Sequence, residues 1–492
     1  MTLTHILIFT AFGLLTGWFA PKRWRNNLLL AASLLAIYWI QPATPIRNLD
    51  FWFPTAAIAL TVVIWMITLQ KPVPIPTEPG TKPASSWISS LPNWSPNGTS
   101  MLVVFGSVAL IGLTRYLEPL CCLTPSRPPE FYQVLFVLGL LGSAVILPAR
   151  VAPRARFLPG IAILVILGLF VILKQAGLSL AVSAWLRSIN GQNAALATPL
   201  DLRWLGFSYL AFRLLHVLRD YQAGRLPVFS LSEFVTYAIF FPAYTAGPID
   251  RSQHFIAELR RPQADRSLDV VAGGQRILLG IFKKFVLADS LALFALSPKN
   301  FSQINSPIWM WVVLYAYAFR LYFDFSGYID IALGLARMVG ISLPENFDRP
   351  YLKTNLTAFW NSWHITLALW FRAYFFNPLT RAFRSQPRKL AIWAVILIGQ
   401  VATMLLIGLW HGVAWNFAIW GIWHGIGLFI HNRWLVWFRP RQEALNQRPH
   451  LEGALRLSSW ALTFHFVVLG WVWFALPDPA ASWQVMLRLF GI

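Results

Sequence analysis

Polar and ionisable residues concentrate in one stretch of an otherwise apolar chain, residues 346–379. Trp360, Trp363 and His364 fall within five residues of one another there, and a second histidine, His411, lies at the end of the next apolar segment. A polar group in hydrocarbon needs a partner or a water-lined cavity, and ionisable residues at that depth usually mark function. Imidazole titrates near neutral pH and can act as a general base. The two histidines therefore predict a functional site built from separate apolar segments.

Two carboxylates form a second unusual feature. Asp324 and Asp330 flank Gly327 within a mostly apolar region. They are either functional acids or, equally well, helix caps and salt-bridge partners of Arg320 or Lys283. The sequence leaves both interpretations open.

A short echo links Trp410-His411-Gly412 with Trp423-His424-Gly425. We interpret the pair as two aromatic positions at helix ends. We expect His424, and likewise His431 and His465, to have structural roles.

The composition of the whole chain indicates the class of protein to which these residues belong. Of 492 residues, 57% are hydrophobic and only 12% are charged, and apolar runs of about 18 residues or more recur along the chain. These features predict an all-α polytopic membrane protein of the cell (inner or plasma) membrane, with the lipid bilayer as its first partner. The net charge of +21 lies mainly in short loops, as expected for cytoplasmic loops facing anionic lipid, so nucleic acid is not predicted as a partner. Cys121 and Cys122 are adjacent and cannot by themselves form a disulfide framework or a metal site, and we predict no metal.

The apolar runs and basic loops give a topology for the first half. The predicted spans are 3–20, 27–41, 51–69, 101–117, 131–148 and 157–173. Lys22, Arg23 and Arg25 follow the first run, which places the N-terminus outside and makes that run a retained helix. Alternating the spans then puts the basic positions Arg150, Arg154 and Arg156 in the cytoplasm.

In the second half of the sequence, the apolar segments are shorter and are interrupted by glycine, proline and charged residues. Residues 241–249 contain two prolines and a glycine, which cannot continue a straight helix, so we expect a re-entrant or broken helix there. The basic loop 250–276 predicts a cytoplasmic surface helix. Further spans are predicted at 277–296, 307–323, 390–409, 414–431 and 457–476. The predicted organisation is 1–70 N-terminal transmembrane helices, 71–100 a Pro- and Ser-rich linker, 101–200 further transmembrane helices, 201–476 a core that holds the motifs, and 477–492 a C-terminal tail.

Four motifs within that core occur in a fixed order. They are Asp324-Phe325-Ser326-Gly327-Tyr328, Glu345-Asn346-Phe347-Asp348-Arg349-Pro350-Tyr351, Phe359-Trp360-Asn361-Ser362-Trp363-His364 and Leu409-Trp410-His411-Gly412. Together they resemble the membrane-bound O-acyltransferase family, in particular its bacterial branch of alginate O-acetylation and D-alanyl transfer proteins. The chain departs from that branch at Asn361-Ser362, where the branch has two arginines.

The resemblance implies a multi-helix shell around a central funnel or tunnel, with two histidines near its waist. It implies acyl transfer from a cytoplasmic thioester donor, acetyl-CoA or an acyl carrier, with no bound cofactor. The family's two histidines fall on His411 and His364, and we expect His411 to act as general base. Candidate substrate-binding residues are Asn361, Trp360, Trp363, Arg349, Asp324 and Trp410.

Several functions remain open on the sequence. The first is transfer of an acyl group, in the first instance acetyl, to a hydroxyl of an exported polysaccharide or cell-envelope glycan, with an extracytoplasmic acyltransferase as partner. The second is D-alanyl transfer from an acyl carrier protein to an envelope polymer. The third, from another class, is a membrane transporter or flippase, whose broken helices would give a similar composition.

Overall fold

The computed structural model describes residues 2–19, 24–69, 94–117, 123–151, 157–261, 267–386, 390–446 and 449–492. These residues are predominantly helical and contain no strand, and their isolated β-bridge joins Phe347 to Trp363. The predicted all-α class is confirmed. The chain divides into two compact units, residues 1–274 with 335–343, and residues 275–334 with 344–492.

The first unit contains a helix at each of the six predicted spans, and further helices, such as Ala176–Ile189, that were not predicted. They are α1 (Leu3–Phe19), α2 (Arg25–Trp39), α3 (Leu49–Ile67), α4 (Trp94–Leu113), α5 (Phe131–Val151), α6 (Leu158–Lys174), α7 (Ala176–Ile189), α8 (Phe207–Gln222), α9 (Leu231–Ile239), α10 (Ser252–Arg260) and the first part of α11 (Ser267–Ile281). After α9, a 3₁₀ turn at Phe241–Ala243 interrupts the helix where the prolines predict a break.

Arg25 has a structural role within this unit that its place in a basic loop did not reveal. Its guanidinium donates to the carbonyl oxygens of Val339 (3.0 Å), Leu259 (3.2 Å) and Gly340 (2.6 Å). The side chain is 9% exposed, and a buried cation is tolerated only when its donors are satisfied. Arg25 therefore ties the start of α2 to two distant segments.

Length and apolar composition identify the helices able to cross a membrane. Among the described residues, Leu49–Ile67, Asn97–Tyr116, Ile392–His411 and Glu452–Ala475 meet both conditions. Leu158–Lys174 and Ala176–Ile189 meet the conditions only as a pair and are bent by 94° at their break, as in a broken span or a re-entrant loop. The chain is thus a multi-pass membrane protein.

Helix α10 is the amphipathic helix predicted for loop 250–276. Phe255, Ile256 and Leu259 are buried on one face, while Arg260 is exposed. Its first turn carries an ion pair between His254 Nδ1 and the Asp250 carboxylate at 2.8 Å.

This ion pair predicts a pH-dependent contribution to stability. The hydrogen bond with Asp250 raises the pKa of His254 above its usual value. A group whose pKa is raised by folding stabilises the fold fully below its unfolded pKa, about 6.5, and loses that contribution as the pH rises through the folded-state value. We therefore expect the thermal midpoint difference between wild type and His254→Gln to shrink between about pH 6 and about pH 9. A difference that grows with pH would contradict the assignment.

The second unit contains the remaining helices. They are the end of α11, α12 (Asp289–Ala292), α13 (Pro307–Met338) as far as Gly334, α14 (Leu356–Trp360), α15 (Ile365–Phe371), α16 (Asn377–Arg384), α17 (Ile392–His411), α18 (Trp415–Asn446), α19 (Pro449–Ala475) and α20 (Pro479–Leu489). Two π-helical segments, Phe282–Ala288 and Arg372–Phe376, extend α11 and α15. Helices α17 and α18 are joined by residues 412–414, so they form a helical hairpin.

Some predicted boundaries differ from the structure. Helix α13 runs through Asp324 and Asp330, which the prediction placed beyond the end of a span. Most of the predicted linker 71–100 lies outside the described residues, and residues 94–100 belong to α4. The predicted tail 477–492 contains α20, whose Val485 and Leu489 are buried. The basic positions Lys22, Arg23, Arg154 and Arg156 lie outside the described residues.

Candidate active site

The backbone around His364 is held by pairing between two segments. Phe347 forms a β-bridge with Trp363, and the Ile365 N–H donates to the Asn346 carbonyl at 3.0 Å. Between these contacts His364 adopts φ 46° and ψ 53°, a left-handed conformation that costs a non-glycine residue about 1–3 kcal/mol. The paired segments therefore hold the histidine in a conformation that it would not adopt alone.

Asn346 orients the His364 side chain. The imidazole Nδ1 lies 3.3 Å from Asn346 Oδ1, which also accepts hydrogen bonds from the Thr366 backbone N–H (3.0 Å) and hydroxyl (2.9 Å). Because a backbone N–H can only donate, Thr366 fixes which amide atom faces the histidine. A neutral His364 that donates from Nδ1 has its lone pair on Nε2.

His411 is the last residue of α17, and its ring and that of His364 both contact Trp410. The Trp410 ring centroid is 4.5 Å from that of His411 and 6.1 Å from that of His364. His411 is half-buried, whereas His364 is 3% exposed. We call these three residues the histidine–tryptophan cluster. Both predicted histidines pack against one indole in this cluster, and His411 is the more accessible to a reactant.

Trp360 and Trp363 belong to an aromatic network around this cluster. The Trp363 ring lies 5.1 Å from Trp471, the Trp360 ring lies 5.8 Å from Trp420, and Trp420 and Trp471 are 5.8 Å apart. Trp420 also lies 5.6 Å from His411. The two tryptophans therefore pack the walls of the site, and their rings are in T-shaped, tilted and stacked contacts typical of aromatic packing.

The sequence interpretation of His424 was wrong. It is not at a helix end but inside α18, fully buried, with ring centroids 5.0 Å from Trp420 and 5.1 Å from Trp360. Neither ring nitrogen has a hydrogen-bond partner among the described residues, which is costly for a buried polar group. The repeated Trp-His-Gly triplet drew attention to His424 in the sequence. The triplet does not show that α18 continues past His424.

The other three polar candidates occupy exposed or half-exposed positions. Arg349 is exposed with φ 44°, and Asn361 is exposed and accepts a 2.6 Å hydrogen bond from Arg372. Asp324 is half-exposed and forms an ion pair with Lys284. The structure thus brings His364, Trp410 and His411 into contact and gives Arg349, Asn361 and Asp324 more solvent-accessible settings.

The exposed segment after Phe347 has a positive balance of charge. The Lys353 ammonium donates to Asp348 at 2.7 Å, and this hydrogen bond lowers the pKa of Asp348. Asp348 is thereby neutralised by Lys353, while Arg349 beside it is exposed. An exposed arginine in such a setting can steer an anionic reactant.

Asp330 and Asp324 each form salt bridges with basic side chains. This is one of the two interpretations that the sequence left open. Asp330 accepts from Arg276 (3.0 Å) and Lys283 (2.7 Å), and its side chain is 9% exposed. The Asp324 side chain, by contrast, is 51% exposed. Lys283 was among the predicted partners, whereas Arg276 and Lys284 were not.

Because Asp330 is more buried than Asp324, replacing each with asparagine should lower the stability of the protein by different amounts. Asp330→Asn leaves the partly buried Lys283 without its counter-charge, while Arg276 keeps Glu345 as a partner. We expect it to lower the free energy of unfolding by about 1–2 kcal/mol. Asp324→Asn removes a half-exposed pair and should cost less than about 1 kcal/mol. Thermal midpoints of the two detergent-purified variants compare them directly. Equal losses would contradict the difference in burial.

Residues 163–475 match the sequence profile of MBOAT, the membrane-bound O-acyltransferase family. This is more than half of the chain and includes every residue of the histidine–tryptophan cluster. The protein therefore belongs to the membrane-bound O-acyltransferase family, and the resemblance drawn from the four motifs is confirmed.

Individual relatives are similar over about half of the chain. A teichoic acid D-alanyltransferase of Streptococcus thermophilus is 36% identical over 242 residues, 48% of this chain and 58% of the relative. A peptidoglycan O-acetyltransferase of Helicobacter pylori is 32% identical over 54% of this chain and 48% of the relative. A probable alginate O-acetylase of Azotobacter vinelandii is 32% identical over 58% of this chain and 54% of the relative. The chain spans about half the length of these relatives.

Proposed function

We propose that this protein transfers an acyl group, in the first instance acetyl, from a cytoplasmic thioester donor to a hydroxyl of an exported polysaccharide or cell-envelope glycan. The observation that supports this most directly is the packing of both His364 and His411 against Trp410. Membership of the family supports acyl transfer over the transporter alternative. The inner or plasma membrane is the location in which a cytoplasmic donor and an exported acceptor can both be reached.

In the proposed reaction, His411 is the general base. Its lone pair accepts the proton of the acceptor hydroxyl as the oxygen attacks the thioester carbonyl. The new C–O bond forms, the C–S bond breaks, and the imidazolium returns the proton to the departing thiolate. Aromatic walls around the imidazole exclude water, which favours transfer over hydrolysis and strengthens electrostatic interactions inside the site.

His364 has a different role in this proposal. It is buried and fixed through Asn346, so it is suited to polarise or orient a reactant, not to move freely between proton donors and acceptors. Arg349, exposed beside the neutralised Asp348, is suited to attract the phosphates of a thioester donor. Asn361 stays a weaker candidate for contact with the developing oxyanion. Arg372 donates to its carbonyl oxygen, so its amide N–H₂ group would be the donor.

D-alanyl transfer is the second candidate function. The Streptococcus thermophilus relative, 36% identical, is a teichoic acid D-alanyltransferase. In that case the donor would be an acyl carrier protein, and the exposed basic surface around Arg349 would receive it. An extracytoplasmic acyltransferase is the further partner expected for transfer to a polymer.

The experiment compares extracted envelope polymers from wild-type, deletion and complemented strains by NMR. We expect ester signals to disappear in the deletion strain and to return on complementation. Acetyl and D-alanyl esters give different resonances, so the lost signal identifies the acyl group. Unchanged esters of both kinds in the deletion strain would refute the proposal.

A further inference from the structure

A cavity of about 330 Å³ lies within the first unit. Its wall is formed by the end of α6, the loop before α8 and the start of α8. Two cationic side chains, Lys174 and Arg203, line it together with Phe170, Trp204 and Ser208. The volume is in the range of small-molecule sites.

The loop that bears Arg203 is rigidly held. Gln41 is buried, and its side-chain amide donates to the Arg203 carbonyl (2.6 Å) and accepts from the Leu205 N–H (3.2 Å). Trp204 stacks on Phe53 with ring centroids 4.9 Å apart. The backbone on both sides of Arg203 is therefore fixed, while its guanidinium is exposed. A site built this way needs little ordering when it binds a ligand.

The charge of the cavity is positive. None of the residues lining it, all of them described, is acidic. The nearest acid in sequence, Asp201, is buried and already engaged by Arg187 (2.8 Å) and Ser183 (2.7 Å). Asp201 thus cannot serve as counter-ion to Arg203, and the cavity presents two cations to whatever enters it.

The surroundings indicate an amphiphile as the ligand. Lys174 is the last residue of α6, and α7 leaves at 94°, so the cavity lies beside a sharp turn of the chain. Phe170, Leu173 and Phe207 give the cavity apolar walls. The charge pattern of the loops predicts that this end of α6 faces outward. An anionic lipid matches this combination, because it has both an apolar part and a phosphate.

We propose that this cavity binds the phosphate group of an anionic lipid of the outer leaflet, with Lys174 and Arg203 as its ligands. Arginine offers paired N–H donors to phosphate oxygens, and lysine offers a point charge. The lipid is either a bilayer phospholipid or a lipid carrier of an exported glycan, which share this phosphate chemistry. The site does not depend on the acyl-transfer proposal.

The test uses the full-length protein in detergent, mixed with dioleoyl phosphatidylglycerol, with retained lipid counted by native mass spectrometry. We expect Arg203→Gln and Lys174→Gln each to weaken retention about 10-fold. Arg203→Lys should retain more lipid than Arg203→Gln. The matched control is Arg47→Gln, which removes an exposed arginine from the turn before α3 without touching the cavity and should bind as wild type does.

The outcomes separate the possible explanations. Retention unchanged in Arg203→Gln, or lost equally in Arg47→Gln, would overturn the site and leave Lys174 as an ordinary interfacial lysine. Displacement of the lipid by millimolar inorganic phosphate would overturn the lipid assignment in favour of a free phosphate. Weaker retention of dioleoyl phosphatidylcholine, whose cation faces Lys174 and Arg203, would support it. Competition by a polyprenyl phosphate stronger than that of phosphatidylglycerol would identify a lipid carrier, and weaker competition would identify a bilayer phospholipid.

Discussion

Replacing His411 with alanine should reduce acyl transfer by about 10²–10⁴-fold, the usual contribution of a general base. The imidazole is the half-buried member of the histidine–tryptophan cluster and is therefore accessible to a hydroxyl acceptor. Alanine removes the proton acceptor without altering the helix, because His411 is the terminal residue of α17. Ester content of extracted polymer, measured by NMR at equal protein level, gives the result.

The matched control for this experiment is His431→Ala. His431 lies on α18 and interacts with the Thr357 hydroxyl at 3.0 Å, outside the cluster. We expect it to keep near-normal ester content. His411→Gln, which retains a polar side chain but no basic nitrogen, should be as inactive as His411→Ala. Ester content maintained in both His411 variants would show that the base is another residue, and His364 would be tested next.

The sequence predicted the helices well and their ends poorly. Apolar run length depends only on the bilayer, so α1, α2 and α3 could be placed without knowledge of their neighbours. The end of α13 could not, because Asp324 and Asp330 look like a break until their cationic partners are known. Arg276 lies 54 residues from Asp330 in the chain, and no local pattern connects them.

The candidate site, too, was predicted only in part. The motifs identified His364 and His411 because their residue types are unusual in apolar segments. What orients His364 is Asn346, eighteen residues away and brought close by a β-bridge in an otherwise helical protein. The environment of His424 was not predicted, because it is made by Trp360 and Trp420 from two other positions in the chain. The sequence showed which residues were candidates for the site, but it did not show which distant residues contact them.

The second large effect is expected from substitution of the glycines at which α17 and α18 approach each other closely. A Cβ added at Gly421 would overlap the Met404 carbonyl oxygen and lie 2.8 Å from Leu405 Cα. A Cβ at Gly408 would overlap the Phe417 carbonyl oxygen in the same way. Both obstacles are backbone atoms, which cannot turn aside as a side chain can, and small residues are what allow two membrane helices to pack this closely.

We therefore expect Gly421→Ala to lower stability by about 3 kcal/mol, at the upper end of overpacking effects. It should also reduce acyl transfer, because separating the helices moves His411 at the end of α17 away from Trp420 on α18. The matched control is Gly453→Ala on α19, where an added Cβ meets nothing within 4 Å; it should be neutral or stabilise by up to about 1 kcal/mol. Thermal midpoints in detergent compare the two variants. Equal stability would mean that the α17–α18 hairpin can open without cost, and the contact between His411 and Trp420 would then not require close helix packing.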